Sequence, residues 1–219
     1  EKNYSSYALE LRGFGDTTGP RGHIDTFSTY LQDIRCLARA IRRSYPQKKI
    51  FLGGESRGGL IAFLFAAKFS HDVDGLVCLS AAFKSRLKFS FPDYARMIAG
   101  LFTNPRKPWP MPFDAAMCTR DPAFQKIIDA DKKGYRVATP KMLFNIFLAQ
   151  ISATAQPINV PVLFQLGSDQ DSLVDAKEIK KIFQRLRAKD KKIIQYPDMR
   201  HALSVDLGRE KVFSDIVAW

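Results

Sequence analysis

The chain has 219 residues, 46% of them hydrophobic and 26% charged, and a formal net charge of +12 at pH 7. At about 150 residues per domain this length suits one sizeable core, with room for an insertion, and no apolar run approaches the ~20 residues of a bilayer-spanning helix. Three scattered cysteines, Cys36, Cys78 and Cys118, fit neither a disulfide framework nor a CxxC metal site, and Cys78 reads as a small buried apolar residue.

The basic excess is dispersed through helical patterns such as AKEIKKIFQRLRAKDKK without interleaved aromatics, so a solvated face is expected there and a nucleic-acid partner is not. The chain opens on Glu1 rather than Met and passes almost at once into the strand-like SSYALEL. That suggests a fold whose first strands lie upstream. The cytoplasm or the membrane periphery is the favoured setting.

In chain order, YALEL (7–11) is the first expected strand. FSTYLQDIRCLARAI then places Phe27, Leu31, Ile34, Leu37, Ala38 and Ile41 on one helical face, with Asp25 or Thr26 as N-cap. KIFLGG (49–54) is a strand, LIAFLFAAKF a helix apolar nearly all round, and GLVCLSA (75–81) a strand. VPVLFQLG (160–167) and KIIQYP (192–197) complete the strands, each followed by an amphipathic helix, AKEIKKIFQRLRA and REKVFSDIVAW. Strands alternating with helices predict an α/β fold, with a mostly parallel sheet covered on both faces and joined by right-handed crossovers.

The alternation stops between Phe83 and Pro157. SFPDYARMIAGLF, NPRKPWPMP, DPAFQKIIDADKK and TPKMLFNIFLAQI are too long and too helical in pattern for a structureless loop. The predicted organisation is therefore a core over 1–83 and 157–219, with an inserted subdomain over 84–156. The insert holds twelve basic residues and five aspartates, a net of +7.

Between KIFL and LIAF stands GGESRGG. A strand ending here and a helix starting near Arg57 leave almost no loop, so Ser56 must sit on a sharp, strained turn with its hydroxyl above the C-terminal end of the strand, the nucleophile elbow. Gly54 and Gly58 are expected to remove side chains that would collide across the turn, and Gly59 to let the helix close on the sheet. A serine needs a base and a group that orients it. Of three histidines, His71 follows the helix leaving Ser56 and is carried roughly 20 Å to the opposite edge. His23, in a polar turn, reads as an exposed or capping residue. His201, in YPDMRHALS just past the last strand, lies at the same edge as Ser56 and is the expected base. VPVLFQLGSDQDSLVDAKE offers three acids. Asp171 is preferred, Asp169 is the alternative or a turn former, and Asp175 reads as the N-cap of the next helix.

These motifs together, ELRGFGDTTGPRGHIDTF, GGESRGGLIA, LGSDQDSLVD and RHALSVDLGREKVFSDI, resemble the monoglyceride lipase and lysophospholipase branch of the α/β-hydrolase superfamily. The resemblance runs over nearly the whole chain and is weakest in the insert. It implies Ser56 as nucleophile, His201 as base and then acid, Asp171 as its partner, and the Arg57 backbone N–H as one oxyanion donor. The second donor is expected from a loop preceding the first strand and so is not in this sequence. Arg57 stands where the family usually has Met, a change expected to bear on acyl or head-group preference, and the acid loop is one residue longer than the family pattern.

The resemblance makes the insert a cap over the active site that takes the acyl chain. Phe89, Phe91, Met97, Ile98, Leu101, Phe102, Trp109, Met111, Phe113, Phe144 and Phe147 are expected mostly to form the cap's own small core, with part of this surface facing the pocket or a lipid. The expected activity is hydrolysis of lipid carboxylic esters, lysophospholipid or monoacylglycerol, without metal or organic cofactor. Thioesterase, peptidase and non-catalytic binding are the alternatives. The basic insert favours approach to an anionic bilayer or head group.

Overall fold

Residues 4–133 and 136–219 are described by a computed structural model; residues 1–3 of the expected core and 134–135 of the expected insert lie outside the described residues. Helix α1 (Ser28–Ser44) buries Tyr30, Leu31 and Ala38. Its N-cap is Phe27, with no side-chain capping bond. Asp25 and Thr26 are otherwise engaged, the first with His23 and Arg106, the second with the Ser28 hydroxyl.

Strand β1 (Phe51–Glu55) leads through Ser56 into α2 (Arg57–Lys68), buried continuously from Gly59 to Ala66, then a 3-10 turn at Ser70–Asp72 and β2 (Gly75–Leu79). The next stretch carries α3 (Phe91–Thr103), β3 (Trp109–Pro110), α4 (Ala115–Cys118), α5 (Pro122–Ala130), β4 (Val137–Ala138) and α6 (Pro140–Ala153). Helices α3, α5 and α6 begin alike: the side chain of Ser90, Asp121 or Thr139 accepts a first-turn N–H, and a proline stands at the first or second helical position. β3 and β4 pair as a small antiparallel ribbon. The chain then returns through β5 (Val162–Leu166), α7 (Ala176–Arg185), β6 (Lys191–Gln195) and α8 (Arg209–Ala218).

The main sheet has the order β1-β2-β5-β6, all parallel. Side-chain alternation divides it. Leu76, Cys78, Val162, Phe164 and Leu166 join a large core with residues of α1, α2, α6 and α7, whereas Val77, Leu79 and Leu163 face Tyr196, Met199, Leu203 and Val212 of the C-terminal segment. At about 1.5–3 kcal/mol for each fully buried large apolar side chain, Phe63, Phe65, Phe164 and Leu163 make this the stable frame on which the loops are hung.

Besides that N-cap, two further expectations are corrected. Residues 7–11 form no strand: Tyr7 and Leu9 are exposed, and no described strand takes up their backbone groups, without which an extended apolar run makes no ladder. The segment 84–156 also lacks a core of its own. Of its buried apolar residues, Ala138, Met142, Ala149 and Ala153 belong to the main core and Met97 and Ala115 to neither cluster, while Phe91, Ile98, Phe102, Phe144 and Phe147 stand exposed. Helix α6 lies directly on α2, so the apolar side that it buries is spent on the sheet domain.

Candidate active site

Ser56 has φ 56° and ψ −120°, a conformation that a residue with a Cβ rarely adopts, at a cost of about 1–3 kcal/mol that the surroundings must offset. They do so from the end of β2 and the turn after it: Ser56 N–H donates to Leu79 O at 2.8 Å, and Ser56 O accepts from Ala82 N at 2.9 Å. A Cβ on Gly54 would lie 2.3 Å from Gly58 O, and one on Gly59 would lie 2.8 Å from the Ala81 Cβ. Gly58 does not have the role expected of it, because a Cβ there meets open space.

Arg57 opens α2, so its N–H is among the terminal donors that a helix cannot satisfy within itself. Its guanidinium lies 4.0 Å from the centroid of the Phe14 ring, with Nε buried and unpartnered. Desolvation pushes its pKa down, and nearby Tyr30 opposes that shift.

The structure brings His201 to Asp171. Both are buried, and Nδ1 of His201 lies 2.8 Å from Asp171 Oδ2. The other carboxylate oxygen accepts the N–H of Leu173 at 2.8 Å and of Val174 at 3.1 Å, which fixes the acid's direction. Asp169 is not brought there: it is exposed and pairs with Lys180 at 2.7 Å, a bond that holds its pKa below the usual value. Asp175 caps α7, accepting from Lys177 N. The acid and base loops touch closely, for Ser168 N–H donates to Met199 O at 2.9 Å, and a Cβ on Gly167 would come within 2.6 Å of Arg200 O. A cleft of about 470 Å³ opens against this pair, walled by Met117, Arg120, Ser168, Gln170 and Arg200 as well as Asp171 and His201.

Three residues escaped the sequence reading. Glu55, next to Ser56, accepts the Ser204 hydroxyl at 2.6 Å and the Ser204 N–H at 3.0 Å, tying the elbow to the loop of His201. Arg86 donates to the carbonyls of Asp169 (3.0 Å) and Asp171 (2.8 Å) and so clamps the acid loop. Asp206, fully buried, collects donors from Thr119, Arg120 and Arg200. Only Glu55 carried a sequence signal, its place inside the elbow motif.

Of the other histidines, His71 sits beyond α2 in the 3-10 turn, away from the elbow as expected. His23 is neither exposed nor a cap: it is buried, Nδ1 lying 3.0 Å from the Thr139 hydroxyl and Nε2 3.0 Å from Asp25 Oδ1. Among the described residues no group of three or more His, Cys, Asp or Glu side chains is arranged to hold a metal ion, and no helix is long and apolar enough to cross a membrane.

Comparison with known proteins bears on family and fold. A family model described as serine aminopeptidase, S33, matches residues 1–208. A monoglyceride lipase of Homo sapiens is 26% identical over 97% of this chain and 72% of its own length, and a monoacylglycerol lipase of Mycolicibacterium smegmatis 23% identical over 97% and 76%. Among solved structures, the monoacylglycerol lipase of Paleococcus ferrophilus superposes with a TM-score of 0.80 at 23% identity, covering 96% of this chain and 80% of that one. A monoglyceride lipase from Saccharomyces cerevisiae, crystallised with a substrate analog, gives 0.81 at 18% identity, covering 96% and 74%. At these identities the structural likeness is one of α/β-hydrolase fold.

Proposed function

Since the chain belongs to the serine aminopeptidase S33 family of α/β hydrolases, in its monoglyceride lipase-like branch, we propose that it is a serine hydrolase of lipid carboxylic esters, with monoacylglycerol or lysophospholipid as substrate. The observation that carries this reading is the strained Ser56 at the sheet edge where His201 and Asp171 are joined at 2.8 Å. His201 takes the Ser56 proton as the hydroxyl attacks the acyl carbonyl, and Asp171 holds the imidazole in the tautomer that presents Nε2 and steadies the imidazolium. The alcohol leaves with that proton, and water activated by His201 releases the fatty acid. Arg57 N–H supplies one oxyanion contact; a donor of this kind is worth about 10²–10³ in rate.

The segment 84–156 acts as the cap. Phe91, Ile98 and Phe102 on α3 and Phe147, Leu148 and Ile151 on α6 are exposed apolar side chains on an insert of net charge +7, a combination suited to an anionic lipid surface.

The test is fluorophosphonate labelling of wild type, Ser56→Ala and His201→Ala, with p-nitrophenyl esters of increasing acyl length. Labelling that depends on Ser56 and a preference for longer chains is expected. No labelling of wild type, or labelling of Ser56→Ala, refutes the serine mechanism, and best activity on acetate refutes a lipid acyl site. The family description also favours a second reading, an aminopeptidase, which turnover of an aminoacyl anilide would reveal.

A further inference from the structure

We propose that Glu55 is a positioning residue for His201: its carboxylate holds the base-bearing loop against the elbow and places a second negative charge on the imidazolium. The inference rests on the reading of Ser56 and His201 given above. Glu55 ends β1, immediately before Ser56, and Ser204 lies three residues beyond His201, so the two bonds from Ser204 fix the base loop to the residue beside the nucleophile. The Leu203 N–H contributes as well.

The charge itself needs a reason. Among the described residues no lysine or arginine pairs with Glu55. A desolvated carboxylate without a cation is costly, and an apolar residue of similar volume would serve a purely structural joint as well or better. Through Ser204 the carboxylate is tied to the loop that carries the imidazole, whose charge would offset part of that cost. Burial holds the Glu55 carboxyl above its ordinary value, and the Ser204 and Leu203 donors and the charge of His201 offset that only in part. The groups around this centre are Asp171 from the acid loop, His201, Leu203 and Ser204 from the base loop, and the Cys118 thiol of α4. That thiol is pushed up to about 11 by burial first, then by Asp114, with smaller contributions from Asp171 and Glu55, against Arg136. Two carboxylates from two different elements are therefore tied to the base, Asp171 to His201 itself and Glu55 to Ser204 in its loop. Asp171 bonds its Nδ1, whereas Glu55 acts through Ser204 and through space.

The sign of the effect follows. A base must be neutral to act, a nearby negative charge favours its protonated form, and removing that charge lets it deprotonate at lower pH. In Glu55→Gln the acid limb of kcat/KM moves to lower pH by roughly half a unit. Its kcat falls roughly tenfold because the loop is held less well, and KM stays within about twofold, since nothing that binds the acyl chain has changed. Ser204→Ala removes one donor, makes the carboxylate easier to protonate, and moves the limb the same way by less.

The experiment is a pH series of p-nitrophenyl ester kinetics on wild type, Glu55→Gln and Ser204→Ala in the full chain, with fluorophosphonate labelling rates alongside. A limb shifted downward in both variants supports the inference. A lower kcat with an unmoved limb marks a mere strut and overturns it, as does a profile that superimposes on wild type. Should Glu55→Gln fail to fold, Ser204→Ala alone decides by the same criterion. A wild type that does not label removes the serine-hydrolase reading and this inference together, an outcome distinct from failure in the variants alone.

Discussion

Arg120 meets Asp206 twice, its backbone N–H donating to Oδ1 at 2.6 Å and its Nε to Oδ2 at 3.1 Å. Around this pair Thr119 Oγ1 and Arg200 N–H add further donors, Ala202 N–H donates to Cys118 O at 2.9 Å, and Arg209 pairs with Asp121 at 3.0 Å. Residues 118–121 of the insert and 200–209 of the base loop are thus one hydrogen-bonded body. If the insert is the cap proposed above, its opening must hinge elsewhere.

Asp206→Ala is expected to cost about 3–5 kcal/mol, because it removes a fully buried carboxylate from a partly buried arginine, the Thr119 hydroxyl and two backbone donors. Burial alone would raise the Asp206 pKa, but the backbone N–H groups of Arg120, Arg200 and Leu207 and the Arg120 side chain outweigh it, so the carboxyl sits below its ordinary value. Its contribution to stability is therefore fully present above the unfolded pKa of about 3.9 and is lost as pH falls through the lower folded value. Thermal melts from pH 7 to pH 2 check both points. The gap between wild type and Asp206→Ala should stay constant down to about pH 4 and close only below it.

The acid of the proposed triad is decided by a pair of substitutions. Asp171→Asn removes the charge facing His201 Nδ1 while keeping an acceptor for Leu173 and Val174, so the fold should survive and kcat should fall roughly 10²–10⁴-fold. Asp169→Asn loses only an exposed ion pair with Lys180, worth at most about 1 kcal/mol, and should change kcat less than about threefold. Ester kinetics with the reverse ranking would transfer the role to Asp169.

The glycines of the elbow separate in the same way. Gly54→Ala drives a methyl group into the Gly58 carbonyl and should destabilise by about 1–3 kcal/mol or prevent folding. Gly58→Ala enters open space in the first turn of α2 and should be neutral or stabilising by up to about 1 kcal/mol. Denaturant midpoints compare the two.

The sheet and the elbow were legible because both are written locally. Apolar runs of strand length alternate with helical periodicity, and a serine set among glycines at a strand–helix junction fits little besides a strained turn that presents its hydroxyl. What escaped reading depends on partners distant in sequence. YALEL has strand composition but no described neighbour to pair with. His23 is buried by Thr139, 116 positions away, and Asp206 by Arg120, 86 positions away. The apolar residues of the insert read like a core because composition does not reveal which face remains exposed. Asp171 was preferred because Asp169 could serve as a turn former, with Asp169 left as the alternative; in the structure one faces His201 and the other Lys180.

That exposed face yields the last prediction. Phe91, Ile98 and Phe102 are 86%, 61% and 85% exposed, and their spacing along α3 sets them in one stripe, while Met97 on the same helix turns inward. Replacing all three with serine removes little packing, so stability should move by less than about 0.5 kcal/mol per site. Insertion into a bilayer would gain up to about 1.5–3 kcal/mol per side chain, so the triple variant should bind anionic phosphatidylserine vesicles at least roughly tenfold more weakly. Lys88, three residues before the stripe begins, and the net +7 of the insert add an electrostatic attraction that 0.15 M salt, with a Debye length of about 8 Å, should weaken in wild type and variant alike. Cosedimentation with vesicles at two salt concentrations, read beside turnover of a water-soluble short-chain ester, separates the two effects. A triple variant that binds vesicles as wild type does would remove α3 from the lipid contact and leave its apolar stripe to a different occupant.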